Sequence, residues 1–133
     1  MVYMLDTNMI IYAMNSKPER LTKLFKRFGK NDLCISAITM AELEYGVSNS
    51  SKAEENRDSL YMFVSGIEIV PFDTVAAREY GDIRADLKLK GSPIGANDML
   101  IAAHARSLGL TLVTNNIREF ARVEGLKVEN WLS

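Results

Sequence analysis

The sequence is short of the residues on which many enzymes depend. Among 133 residues there is one histidine, His104, and one cysteine, Cys34. A lone histidine excludes, by count, any metal-free ribonuclease-like mechanism built on a pair of catalytic histidines. A lone cysteine cannot close an internal disulfide, and Cys34 lies in the apolar stretch LCIS, where a buried reduced thiol is expected. No apolar run approaches the roughly 18 residues of a membrane span. The N-terminal MVYMLDTN has no basic start, apolar core or small-residue cleavage site, so it does not read as a signal peptide. No repeat, low-complexity tract or linker interrupts the chain, and its length suits one domain spanning residues 1–133. The expectation is a soluble cytoplasmic protein without a membrane segment.

Charge of one sign is also lacking. A net charge of −1 gives the whole molecule no general attraction for nucleic acid. The cations are nevertheless unevenly spread. Segment 17–30 carries Lys17, Arg20, Lys23, Lys26, Arg27 and Lys30 against Glu19 alone. As a helix it sets Leu21, Leu24, Phe25 and Phe28 on one face and most of the cations on the other. Taken alone, this is a solvated helix face; an RNA-contacting face is the alternative.

What is present is an alternation of strands and helices. Val2 to Leu5 reads as a strand running into Asp6-Thr7-Asn8, with a short buried helix from Met9 to Met14. Leu33 to Ser36 is a second strand, followed by a helical stretch from Ile38 to about Ser48 and a charged helix from Ser51 to Ser65. Ile67 to Phe72 is a third strand; Asp73 occupies an N-cap position before a helix that ends at Gly91. The loop 92–95 leads into an apolar helix from Asn97 to Leu108. Leu110 to Val113 is a fourth strand, and Val128 to Trp131 a short fifth. Strands separated by helices imply a parallel sheet of four to five strands covered on both faces. In such sheets ligands bind beyond the C-terminal strand ends, where the strand order reverses.

Acids and carboxamides collect at those ends. Asp6 follows the first strand, and Asn115 and Asn116 follow the fourth. Glu42 lies about a turn into the helix after the second strand, and Asp98 lies in the first turn of the helix before the fourth. Each has a plain structural reading. Asp6, Thr7 or Asn8 suits a helix N-cap, as does Asn97 or Asp98, and Glu42 and Glu44 suit an exposed helix surface. Glu42, however, stands among Met40, Ala41, Leu43 and Tyr45, and Asp98 precedes MLIAA, settings in which an unpartnered carboxylate is costly. Capping explains any one of these acids better than it explains all of them. Crowded carboxylates raise one another's pKa unless a cation sits between them, and an all-oxygen set suits Mg²⁺ or Mn²⁺.

The segments MLDTN, ITMAELEYG, PIGANDMLIAAHA and LVTNNIREF, in that order, resemble the motifs of PIN-domain ribonucleases, specifically the VapC toxins. The resemblance runs from Met4 to the C-terminal VENW. It implies a three-layer α/β/α domain and Mg²⁺- or Mn²⁺-dependent cleavage of RNA. Carried over by position, it assigns Asp6, Glu42 and Asp98 as metal ligands and Asn116 as the fourth catalytic position, often an aspartate in the family. Thr7, Asn8 and Thr114 are then supporting groups, and Glu119 is a candidate for the missing charge. The expected reaction is attack of a metal-activated water on an RNA phosphodiester, leaving 5′-phosphate and 3′-hydroxyl ends.

A polyanionic substrate meeting an acidic site needs flanking cations. The candidates are Lys17, Arg20, Lys23, Lys26 and Arg27, with Arg106, Arg118 and Arg122. The resemblance further implies a tRNA anticodon loop as substrate, the initiator tRNA being the first expectation, together with a homodimer and a VapB-type antitoxin. Exposed apolar residues on the helices from Ile38 to Phe63 are the expected groove for that partner. His104, in an apolar helix, is expected to be packed or hydrogen-bonded rather than catalytic. Tyr12, Tyr45 and Trp131 are expected to pack rather than stack on bases. Two other readings stand beside this one: a receiver-like regulatory domain with Asp73 as phosphoacceptor, and a metal-dependent DNA nuclease.

Overall fold

Leu33-Cys34-Ile35-Ser36 offers no polar side to the pleat, which suits a strand covered on both faces, and all four residues are buried. The computed structural model describes residues 1–16, 19–28 and 31–132. Along them run β1 (Tyr3–Leu5), α1 (Thr7–Ser16), α2 (Glu19–Arg27), β2 (Leu33–Ser36), α3 (Ala37–Ser48) and α4 (Ala53–Val64). There follow β3 (Glu68–Val70), α5 (Thr74–Leu89), α6 (Ala96–Ser107), β4 (Thr111–Val113), α7 (Ile117–Phe120) and β5 (Lys127–Glu129).

The strands form one five-stranded sheet in the order β3-β2-β1-β4-β5, parallel throughout. Met4 stands opposite both Cys34 and Leu112, and Leu5 opposite Val113. Because side chains alternate across the pleat, these rows feed two cores. Met4, Cys34 and Leu112 pack with Ile83, Ile101 and Phe120 on one side. Leu5, Ile35 and Val113 pack with Met9, Leu43 and Leu60 on the other. The result is the three-layer α/β/α sandwich expected, with α1, α3 and α4 on one face and α5 and α6 on the other.

From β1 the chain builds outward through β2 to β3, then crosses back to lay β4 on the other side of β1. The order therefore reverses between β1 and β4, and the crevice beyond their ends is the place for a site. Asp6 and Thr114 are the residues that emerge there. Asp6 is still tied to the sheet, its N–H donating to the Val113 carbonyl at 2.9 Å, and Thr114 N–H donates to the Glu129 carbonyl at 2.9 Å.

Helix starts follow local chemistry. Ser36 caps α3 by accepting the Ile38 N–H at 3.0 Å, so α3 begins with no intervening loop. Asp73 caps α5 by accepting the Ala76 N–H at 3.0 Å. Gly91, at φ 65°, turns the chain out of α5, a backbone state that costs glycine nothing.

Some elements differ from expectation. The first helix starts at Thr7, two residues before the anticipated Met9, because Asp6 sits directly at the strand–helix junction. It is not wholly buried, since Ile11 and Tyr12 are 42% and 40% exposed. The four-residue α7 was not anticipated; IREF is too short for a 3.6-residue period to register. The fifth strand ends at Glu129 rather than Trp131. Trp131 leaves the ladder to pack its ring against Tyr3 and Phe28 at 5.0 and 5.2 Å. Lys17 and Lys30 lie outside the described residues, as does the side chain of Arg20. No helix is long and apolar enough to cross a membrane.

Candidate active site

Asp6 is only 2% exposed. Its Oδ1 accepts the Thr7 N–H at 2.8 Å, and its Oδ2 accepts the Thr114 hydroxyl at 2.9 Å. Thr114 is itself held, its oxygen accepting the Asn116 N–H at 2.9 Å. Thr7, buried one residue further on, donates its hydroxyl to Glu42 Oε1 at 2.7 Å, and lies 3.1 Å from the hydroxyl of Thr39. Thr39 and Glu42 are one turn apart on α3 and so face the same way. Capping and clustering are thus not alternatives for Asp6, which serves α1 through its backbone and the cleft through its carboxylate.

Asp98 is not a helix cap. The N-cap of α6 is Gly95, with no side-chain cap bond, and Asp98 sits in the first turn. A side chain on Gly95 would meet Asp98 Oδ2 at 3.4 Å, so the bare loop lets the carboxylate lie against it. Burial, followed by the charges of Asp6, Glu119 and Glu42 and a hydrogen bond with Glu119, pushes the Asp98 carboxyl up to about 6. Asp6 is also raised, by burial first and more weakly by Glu42, while the bonds from Thr114 and Thr7 pull it down. Four carboxyls from four segments therefore feel one another across one crevice. No Lys or Arg ion pair among the described residues reaches any of them; those present join Glu19, Glu44, Glu79, Asp86 and Glu124 instead.

That donor set fits Mg²⁺ or Mn²⁺: ionisable carboxylate oxygens with neutral hydroxyls behind them, mutually repelling and without a cation of their own. The acids do not close on a single point, for among the described residues no three His, Cys, Asp or Glu side chains stand at metal-holding distance.

The remaining site candidates fall into place unevenly. Asn116 turns its carboxamide to Glu119 Oε2 at 2.9 Å, so it reaches the other acids through Glu119. Asn8 is exposed and lines a cleft with Thr7, Glu42, Tyr45 and Asn97. Asn115 is exposed. Thr39, absent from the sequence-based set, joins the site through Thr7; its position three residues before Glu42 was the available signal.

Among the described residues the expected cations are dispersed: Arg118 is exposed on α7, between Asn116 and Glu119. Lys23, Lys26 and Arg27 are exposed on α2, Lys23 paired with Glu19 at 3.3 Å and Arg27 set over the Phe28 ring at 5.7 Å. The hollow that Lys23 and Arg27 line, beside Glu129 and Trp131, shares no residue with the Thr7–Glu42 cleft. Arg106 is held within the protein, by Glu79 at 3.0 Å from Nε and by the Glu124 carbonyl at 2.8 Å. Arg122 donates to the Pro93 carbonyl at 3.0 Å.

Comparison with known proteins agrees with this geometry. Residues 3–126 match the PIN domain family. The chain is 47% identical over 132 residues to Ribonuclease VapC2 of Rickettsia felis, covering 98% of each. It is 44% identical over 129 residues to the tRNA(fMet)-specific endonuclease VapC of Salmonella typhimurium, covering 97% of each. The chain belongs to the VapC ribonucleases of the PIN-domain family. The solved structure of DNA-bound VapBC from Salmonella typhimurium has a chain that superposes with a TM-score of 0.95 at 44% identity, covering 98% of both chains.

Elsewhere in this VapC-family chain, contacts and exposure place four further residues. Asp73, the acceptor of the receiver-like reading, is a helix cap. His104 is 1% exposed and bonded through Nδ1 to Ser36 Oγ at 2.7 Å, with Phe72 edge-on at 5.3 Å. Glu44 belongs to the surface, held by Tyr61 at 2.7 Å and Arg57 at 3.6 Å. Tyr45, expected to pack in the core or at an interface, is 70% exposed and so lies outside the core.

Proposed function

We propose that this protein is a toxin endoribonuclease that hydrolyses an RNA phosphodiester at the Asp6–Glu42–Asp98 cleft with a divalent cation. The observation that carries the reading is the raised carboxyls of Asp6 and Asp98 at the β1/β4 switch point, beside Glu42 and Glu119, with no protein cation among the described ion pairs to relieve them. Asp6 and Asp98 are the direct ligands and Glu42 the third, direct or through water. Glu119, steadied by Asn116, supplies the weaker fourth side. Bound Mg²⁺ or Mn²⁺ would supply the charge that makes a water acidic and neutralises the phosphate. The chain's own part is orientation. Thr7 and Thr114 fix both oxygens of Asp6 and one of Glu42, and Asn8 and Asn97 at the rim offer donors and acceptors to the RNA backbone. Water adds to phosphorus and the bond to the 3′-oxygen breaks, leaving 5′-phosphate and 3′-hydroxyl ends.

The Salmonella relative named for tRNA(fMet) supports an anticodon loop of initiator tRNA as substrate. Splayed loop bases are the usual targets of sequence-selective RNA recognition. The solved VapBC supports a VapB-type antitoxin as inhibitor. A cleft lined by Ile11, Met14, Leu43 and Leu60 also includes Glu42, so apolar anchors on a partner segment would lead directly to the acids. A homodimer acting in the cytoplasm completes the reading. Its test is incubation with total RNA and initiator tRNA in Mg²⁺ or Mn²⁺, alongside EDTA and Asp98→Asn controls. Discrete cleavage is expected only with metal and an intact Asp98; cleavage surviving either control overturns the mechanism.

A further inference from the structure

We propose that the buried Ser36–His104 pair is a positioning clamp that sets α3 against α6, and through them Glu42 against Asp98. The inference rests on the reading of the acidic cleft given above. Glu42 rides on α3 and Asp98 on α6, helices from distant parts of the chain. Ser36 caps α3 and is fully buried; His104 belongs to α6 and is 1% exposed, and Nδ1 meets Ser36 Oγ at 2.7 Å. In each helix the clamp residue stands six positions from the acid, about 9 Å along the axis at 1.5 Å per residue.

The hydrogen bonds fix one arrangement. Burial holds the imidazole below its ordinary value against the pull of Asp73, so it is neutral at pH 7, with one donor and one acceptor nitrogen. The Pro71 backbone also pulls the ring's pKa upward. Nδ1 and the Ser36 hydroxyl share one hydrogen bond at 2.7 Å. The Ser36 oxygen in turn accepts the Ile38 N–H that starts α3. Two junctions converge on this pair: the start of α3 and the last turn of α6. A slide of either helix would strand a buried polar atom. An apolar pair would pack α3 on α6 without fixing their register. Cation ligands need placement to about 0.5 Å, which gives such a register a use.

The test separates positioning from stability. Groups that orient metal-holding side chains cost about 10–100-fold when lost. His104→Phe keeps a planar aromatic ring and removes the hydrogen bond to Ser36; Ser36→Ala removes the other side of the clamp by a smaller change. Each should lower kcat on an RNA oligonucleotide by about tenfold, with KM for RNA moving less than about twofold. Mn²⁺ binding measured calorimetrically without RNA should weaken by about tenfold. The double variant should be no worse than the poorer single, and His104→Asn, which returns a polar atom near the Nδ1 position, should recover most of the loss. Wild-type Mn²⁺ affinity and kcat with only a lower melting temperature would overturn the clamp, as would an Asn variant no better than Phe. Asp98→Asn in the same titration keeps the two readings apart. If it too binds Mn²⁺ normally, the cleft reading fails; if it loses Mn²⁺ while His104→Phe retains it, only the clamp fails.

Discussion

Asp98→Asn should stabilise the metal-free protein while abolishing its activity. The Asp98 carboxyl is raised from 3.8 to about 6, by burial first and then by Asp6, Glu119 and Glu42. Between those values the folded chain holds a proton that the unfolded chain releases. This group's contribution is therefore most favourable below about pH 4 and declines as pH rises through 6. Two pH units correspond to about 3 kcal/mol. Asp98 is only half-buried, so screening reduces the expected penalty to about 1–2 kcal/mol. Asparagine has the same shape without the charge and escapes the penalty at pH 7.5. For a chain of this length that is about 3–8 °C in melting temperature. Scanning calorimetry in EDTA should show the variant melting higher at pH 7.5 and the gap narrowing as pH falls, closing below about pH 4. Excess Mn²⁺ should reverse the order, because an ion that binds only the wild-type fold stabilises it by mass action. A variant that melts at or below wild type in EDTA at pH 7.5 would refute the electrostatic argument.

Thr114→Val removes the hydroxyl that binds Asp6 Oδ2 and accepts from Asn116. A hydrogen bond to a buried charge contributes about 1.5–3 kcal/mol, so kcat should fall about 10–100-fold, read on an RNA oligonucleotide. Leu112→Ala, at a fully buried residue of the central sheet, should lower unfolding free energy by about 2–5 kcal/mol in urea titrations. Cys34 is buried, and burial first of all pushes its thiol up to about 12. It should stay inert to a thiol reagent at pH 8 until denaturant is added. Asn116→Asp removes the donor to Glu119 and places a like charge beside it. It should lower the melting temperature in EDTA by about 2–4 °C, from a charge repulsion of about 1 kcal/mol, and Mn²⁺ should restore it.

The parts of this molecule that the sequence made legible are those where one residue type has one good place to go. LCIS and LTLV are apolar across the whole pleat and can only be covered strands; Asp73 before a helical period can only cap. Asp6, Glu42 and Asp98 were legible as a group because each combined an acid with an apolar setting that would punish it alone. What escaped depends on partners far along the chain. Nothing local distinguishes Trp131 in a fifth strand from Trp131 folded onto Tyr3 and Phe28, a choice made by aromatic packing. Arg106 looks like any helix cation until Glu79 and the Glu124 carbonyl are placed around it. Thr39 was passed over because threonine in a helix has many neutral explanations. Of the basic stripe, Lys23 and Arg27 line a hollow separate from the Thr7–Glu42 cleft, a placement that residue counts do not give.

The choice of neutral partners for the acids is itself informative. A lysine or arginine in the cleft would satisfy Asp6 and Asp98 permanently, lower both carboxyls and occupy the place of a substrate-facing cation. Threonine hydroxyls hold the oxygens in direction without cancelling their charge. Thr114 and Thr7 secure Asp6, and Thr7 secures Glu42. Asp98 receives no such help; beside it is Glu119, another acid, and the two share a hydrogen bond that only a retained proton can supply. Asp98 is consequently the carboxyl whose charged form is least supported by its own neighbours. A divalent ion arriving there would relieve that charge, and the stability lost at pH 7 would be recovered on binding.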